Sequence, residues 1–228
     1  MNLDKFLYLS VDIGCFILTF FLSFVPKFRL IKYFKVVFKG IFTVASGFIL
    51  WDVIFTKLKV WSFADEYTLG LRIFDLPIEE ILFFIAIPYS CIFTYYSLKQ
   101  FVTFKSTAFI YFFSIVLSII LGIISIYNVP KLYTSVTLSL TGLIILWLSL
   151  IKWKFLFQLY VTYLIILLPF FIVNGILTGG IGKTVVSYNF IYNSGIRLIT
   201  IPVEDVLYGF LLCALNIFLF ERELNRTK

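Results

Sequence analysis

Two short runs carry most of the chemistry this chain has to offer: Pro77-Ile78-Glu79-Glu80 and Pro202-Val203-Glu204-Asp205. Each places two adjacent carboxyl groups just after a proline, with an arginine five positions before it (Arg72, Arg197) and a glycine upstream (Gly70, Gly195). Carboxyl groups in unequal surroundings, one protonated and one ionised, are what general acid/base catalysis needs. The chain has no histidine, so proton transfer falls to a carboxylate, Tyr, Lys or Cys, and histidine metal sites are excluded. A plainer role accounts for either run alone. Proline suits a first helical turn, and acids there complement the helix dipole and cap free amides. Arg72 and Arg197 are then interfacial ion-pair partners and the glycines turn residues. Duplication argues for more, because helix starts tolerate many acids and caps, whereas both copies keep the arginine, the proline and the acid pair at one spacing.

The segments 70–83 and 195–208 align without a gap at an offset of 125 (204 − 79 = 125). Gly70/Gly195, Arg72/Arg197, Pro77/Pro202, Glu79/Glu204 and Leu82/Leu207 are identical, and Asp75/Thr200 is the one pair that disagrees in size and polarity. Adjacent helical residues point about 100° apart, so Glu79 and Glu80 do not share a target. One of each pair is expected to face the interior and the other the interface or its arginine; which does which is open, since apolar residues surround both. Asp52, in the Trp51-Asp52 pair, is a further supporting candidate. Its approximate counterpart in the second half is Asn174, an amide that hydrogen-bonds without titrating.

The elements that must position these residues are membrane helices. Of 228 residues, 61% are apolar and 14% charged, and a spanning helix takes roughly 20 apolar residues. The apolar runs predict seven spans near 6–25, 36–56, 78–98, 107–127, 132–151, 155–174 and 203–221. No hydrophilic stretch is long enough for a separate soluble domain. The offset of 125 carries span one onto five and three onto seven, and, with a slip of two or three residues, two onto six. The expected fold is an all-α integral membrane protein: a first three-helix repeat over 1–100, a linking helix over 101–130 and a second repeat over 131–228. A shift of four spans gives both repeats the same orientation, as in parallel transporter repeats, so both acid pairs begin helices at one membrane face.

Basic residues set that orientation. Lys27, Arg29, Lys32, Lys35 and Lys39, then Lys99 and Lys105, Lys152 and Lys154, and Arg222, Arg226 and Lys228 alternate with less basic loops. By the positive-inside rule these face the cytoplasm, with the N-terminus outside and the C-terminus inside a multi-pass cell-membrane protein. This explains the net charge of +7 better than nucleic-acid binding, which is not expected. The first span reads as an anchor, since its basic cluster follows it and no small-residue cleavage site ends it. Glu221 and Glu223 fall on the cytoplasmic tail, and the other ten acids in or near the external half. Cys15, Cys91 and Cys213, far apart in apolar runs, read as packing residues. Most aromatics are lipid-facing or interfacial; Phe83 and Tyr208, equivalent by the repeat, are the candidates for stabilising a cation by π attraction.

The Trp51-Asp52 pair, GLRIFDLPIEEILFF, VNGILTGG and GIRLITIPVEDVLYGF together resemble the membrane-embedded lycopene cyclases, known as paired small subunits, as fused single chains and joined to phytoene synthase. The resemblance runs from the first span to the seventh and favours the fused form, without a synthase part. It implies a redox-neutral ring closure: a carboxylic acid protonates a ψ end, a neighbouring double bond attacks the tertiary cation, and a base removes a ring proton. Lycopene then gives β-carotene through γ-carotene. The family's motif acids carry over to Glu79, Glu80, Glu204 and Asp205. The resemblance implies a carotenoid substrate taken from the lipid bilayer, contact with membrane lipids and with other carotenoid enzymes, and no cofactor or metal. TGGIGK at 178–183 lacks the spacing and context of a dinucleotide fingerprint.

A cyclase of longer, prenylated carotenoids fits the same motif. From another class, paired intramembrane acids suit a cation- or proton-coupled transporter, although the acids sit at helix ends and no mid-membrane helix break is evident. A prenyltransferase would need two Asp-rich motifs, which DLPIEE and TIPVED only weakly imitate.

Overall fold

A computed structural model of the chain describes residues 3–226; Lys228, counted above among the cytoplasmic basic residues, lies outside them. Seven helices dominate: α1 (Leu7–Leu22), α2 (Phe34–Lys57), α3 (Ile78–Phe101), α4 (Ala108–Tyr127), α5 (Leu132–Leu150), α6 (Leu156–Leu177) and α7 (Val203–Arg226). All seven, the first two extended by short 3-10 turns, are long and apolar enough to cross a membrane. They match the expected spans within a few residues. The main departure is at the end, where α7 continues past 221, so Glu221 and Glu223 belong to the helix rather than to a tail. Glu221 is buried, accepts a hydrogen bond from Tyr95 Oη at 2.9 Å and pairs with Lys99. A buried carboxylate held by α3 keeps the last turns of α7 on the bundle.

α1 packs on α3 and α5 on α7, while α2 lies against both α3 and α7 and α3 also meets α6. Tyr89, Ile92 and Tyr95 of α3 meet Ala214, Ile217 and Phe220 of α7 in the main core, where Cys91 and Cys213 are free thiols. α4 packs on α5 through small side chains. Ser125 Oγ lies 2.6 Å from Ser139 Oγ, and a Cβ added to Gly142 would stand 3.2 Å from the Ser118 carbonyl oxygen. Close backbone approach through small residues is how membrane helices associate. The other face of α4 exposes Phe109, Phe112, Ile119 and Ile123.

One end of the bundle carries six short strands, β1 (Trp61–Phe63), β2 (Arg72–Ile73), β3 (Leu76–Pro77), β4 (Val186–Tyr188), β5 (Arg197–Leu198) and β6 (Ile201–Pro202). β1 pairs antiparallel with β4, with Ser62 opposite Ser187. These serines are 125 positions apart (187 − 62 = 125), so the ribbon pairs two segments related by the sequence offset. The β2–β3 and β5–β6 hairpins are alike in register, Arg72 facing Pro77 and Arg197 facing Pro202. Gly70 and Gly195 both have φ of 80°, a region that costs glycine nothing. Arg72 Nη1 donates to the Asp75 carbonyl at 2.7 Å and Arg197 Nη1 to the Thr200 carbonyl at 2.5 Å. The one mismatched pair of the alignment therefore contributes a backbone atom, which leaves its side chain free to differ.

Candidate active site

Pro77 and Pro202 end the hairpins and start α3 and α7, so the acids fall in the first turn of each helix. Glu79 and Glu204 are both fully buried and turn away from the bundle interior to the incoming loop. Glu79 Oε1 accepts from the Leu69 amide at 2.6 Å and Glu204 Oε1 from the Ser194 amide at 2.6 Å, with Thr134 Oγ1 donating to the same Glu204 oxygen at 2.5 Å. Their other oxygens have no partner among the described residues. One position further, and about 100° around the helix, Glu80 and Asp205 face the interior.

There the two halves present matched carboxyl groups in unlike company. Glu80 Oε2 accepts from Tyr8 Oη at 2.6 Å, and Asp205 Oδ1 from Tyr133 Oη at 2.6 Å. Tyr8 and Tyr133 are again 125 apart (133 − 8 = 125). Beyond them the symmetry stops. The carboxyl group of Asp52 lies beside that of Glu80, and Asp52 Oδ1 accepts from Tyr208 Oη at 3.1 Å. Asp205 instead takes a second phenol, Tyr188 Oη donating to Oδ2 at 2.8 Å. Burial and the neighbouring Asp205 push the Tyr188 hydroxyl well above the ordinary phenol range, so it remains a donor. Phe63 and Phe83 occupy the positions 125 before Tyr188 and Tyr208. One end of the site thus has two carboxyl groups able to share a proton, and the other a single carboxyl gripped by two donors.

Glu80, Asp52 and Asp205 open onto one cavity of about 400 Å³, within the usual range for small-molecule sites. It follows one face of α3 from Glu80 through Phe83, Ile87 and Cys91 to Thr94, fourteen residues or about 21 Å at about 1.5 Å per residue. α6 lines the opposite side from Leu177 to Tyr163, with Thr178 just past its end. The β1–β4 ribbon roofs the carboxyl end with Trp61, Phe63, Val186 and Tyr188. The Tyr208 ring stands edge-on to Trp51 at 5.0 Å and to Phe48 at 5.1 Å. An elongated apolar slot with acids and aromatic rings at one end suits a long hydrocarbon whose terminus is protonated.

Of the residues expected at the site, Glu80, Asp205, Asp52, Asn174, Phe83 and Tyr208 line this cavity, whereas Glu79 and Glu204 do not. Arg72 and Arg197 are also outside it. Neither pairs with a motif acid: Arg72 binds Asp65 Oδ1 at 2.6 Å, and both arginines hold hairpin carbonyls. The helix-start acids already take loop amides, so the arginines are left to lock the turns. Among the described residues, Asn174 Nδ2 donates to the Phe170 carbonyl at 3.4 Å and to no motif acid. Tyr8, Tyr133 and Tyr188 were not singled out from sequence. The first two sit at the same offset as the acids they serve, a signal hidden by the many tyrosines.

Comparison with known proteins agrees with this architecture. A family model described as lycopene cyclase matches residues 5–98 and 130–222. A "Bifunctional lycopene cyclase/phytoene synthase" of Leptosphaeria maculans is 31% identical over 75 residues, 33% of this chain and 13% of that protein. One of the same description from Phaeosphaeria nodorum is 33% identical over 76 residues, again 33% and 13% of the two lengths. The match thus spans a small part of each relative. No solved structure matches the chain. With the family model matched over both halves, up to the helices that carry the paired acids and through them, the chain belongs to the lycopene cyclase family.

Proposed function

We propose that the protein is a redox-neutral carotenoid end-group cyclase, converting the ψ ends of lycopene to β-ionone rings and so giving β-carotene by way of γ-carotene. The observation that carries this reading is the pairing of Glu80–Asp52 with Asp205 at the head of one apolar slot. The neighbouring carboxyl groups of Asp52 and Glu80 share a proton and donate it to the terminal double bond. The tertiary cation is attacked by the nearby internal double bond, which closes the six-membered ring and moves the charge onto the ring. Asp205, held by Tyr133 and Tyr188, takes the adjacent ring proton and leaves the β double bond. One proton enters and one leaves, so no electron carrier is required. Tyr208, Trp61 and Phe83, whose rings line the cavity, surround the cation and stabilise it without reacting, with Trp51 packed edge-on behind Tyr208. Glu79 and Glu204 act through the backbone, fixing the loops that set the helix starts.

The same reading orients the protein with its N-terminus outside, its C-terminus in the cytoplasm, and the strand-bearing end at the external face, as the basic loops favour. The two halves are parallel three-helix repeats joined by α4, supported by the common offset of Tyr8/Tyr133, Glu79/Glu204 and the hairpins. Cyclisation of lycopene by membranes suspended in D₂O tests the chemistry. One deuterium per ring formed is expected, carried at the protonated carbon; rings formed without deuterium would overturn proton donation by a titratable group.

A further inference from the structure

We infer that the substrate enters sideways from the lipid through a single opening between α1 and α6, bounded by Gly14 and Leu18 on α1 and Pro169 on α6. The inference rests on the cyclase reading and adds the route to the site. All three residues line the cavity and are nonetheless exposed on the outer surface of the bundle, Leu18 at 63%. The cavity wall is interrupted there, halfway along both helices. Gly14 contributes no side chain, and a Cβ built on it meets nothing within 4 Å.

The related positions of the other half do not reach the cavity: Leu143, at the offset of Leu18 (143 − 18 = 125), is 61% exposed yet lies outside the lining. Ser139, at the offset of Gly14 (139 − 14 = 125), is covered by α4 through its contact with Ser125 Oγ at 2.6 Å. Phe84 is fully buried against Phe48, with ring centroids 5.9 Å apart. Its counterpart on α7 is Gly209 (209 − 84 = 125), beside Phe170. A Cβ on Gly209 would stand 3.1 Å from Tyr163 Oη and 3.3 Å from Phe170, so the glycine lets these two cavity-lining rings close in where Phe84 packs in the other half. With α4 covering the side of the second half, the exposed part of the cavity lining is the stretch between α1 and α6. The occupant is a long apolar polyene: the slot is about 21 Å long by helix rise, shorter than an extended carotenoid on the order of the roughly 30 Å hydrocarbon core. The unreacted part trails through the mouth, where apolar helix faces meet lipid.

Lycopene conversion by membranes carrying wild type, Gly14→Trp, Leu18→Trp and Gly47→Trp tests this. Gly47 is exposed on α2, away from the cavity, with nothing near its Cβ position, and serves as the control. Both α1 plugs are expected to lower kcat/KM for ring formation at least tenfold, and Gly47→Trp to stay within twofold of wild type. If Gly14→Trp fails to accumulate, Leu18→Trp decides alone, since its side chain already faces outward. Plugged variants as fast as the control, with wild type active, would overturn the side entrance only. A wild-type chain that forms no ring overturns the cyclase reading and the entrance with it.

Discussion

The carboxyl groups of Asp52 and Glu80, on neighbouring helices, stand side by side in the lining of one cavity, each accepting a hydrogen bond from a tyrosine, Tyr208 and Tyr8. In the proposed mechanism the two share the donated proton, and groups that act as a unit lose function together. Asp52→Asn keeps the shape and a donor but removes the shared acid. Initial rates of lycopene cyclisation are expected to fall about a hundredfold, within the typical range for general acid/base catalysis. The double change Asp52→Asn with Glu80→Gln is expected to cost little more than the worse single. Strictly multiplicative losses would show that the two act independently.

Asp205 depends on phenols rather than on a second acid. Removing the Tyr133 or the Tyr188 hydroxyl, each bonded to a different oxygen of Asp205, costs about 1.5–3 kcal/mol for a hydrogen bond to a charged group. Tyr133→Phe and Tyr188→Phe are each expected to lower the melting temperature in detergent and to slow turnover at least tenfold. Because the Tyr188 hydroxyl stays protonated throughout the neutral range, the Tyr188→Phe defect should be the same from pH 6 to 9. A defect that disappears toward alkaline pH would contradict its role as a donor.

Much of the fold was legible because membrane burial writes it in simple terms. Span length and basic loops give seven helices, and the repeated Pro-x-acid-acid run locates the start of α3 and α7. What periodicity withholds is direction. Glu79 and Glu80 are both surrounded by apolar residues, so only the loop amide of Leu69 explains why Glu79 turns away and Glu80 faces the cavity. Arg72 looked like a partner for those acids, yet Asp65 and the hairpin carbonyls hold it. The β1–β4 ribbon that roofs the cavity is made of three-residue strands, too short to carry an alternating pattern. Tyr188 came into the site only through that pairing.

At the opposite end of the bundle, Glu221 is buried and paired with Lys99, whose amine also lies 4.0 Å from the Phe155 ring centroid. Breaking a buried pair leaves an uncompensated charge and costs about 3–5 kcal/mol, whereas replacing both members with apolar groups is often neutral. Lys99→Met, which strands the buried Glu221 while Lys99 itself is partly exposed, should therefore lower thermal stability sharply, and Lys99→Met with Glu221→Leu should recover most of it. Melting of the three proteins in one detergent checks this. A double variant no better than Lys99→Met would mean that the pair itself holds α3 to α7.

Both hairpin turns hold a non-glycine residue in the left-handed region, Phe74 at φ 52° and Ile199 at φ 62°, whereas the glycine before each hairpin adopts it without strain. Ile199 has φ of 62° and is 86% exposed, while Gly195 has φ of 80°. A β-branched residue in the left-handed region costs about 1–3 kcal/mol. Ile199→Gly is expected to raise the melting temperature and Gly195→Ala to lower it, a pair of opposite shifts within five residues. Equal shifts of the same sign would refute the strain account.

The most direct test of the proton-transfer site is the pigment made by a lycopene-accumulating cell that expresses wild type, Glu80→Gln or Asp205→Asn at matched protein levels. Wild type is expected to give β-carotene or the one-ring product, and each variant at least a hundredfold less cyclised pigment, since each removes one of the two ends of the proton's path. Undiminished ring formation by both variants would contradict the account.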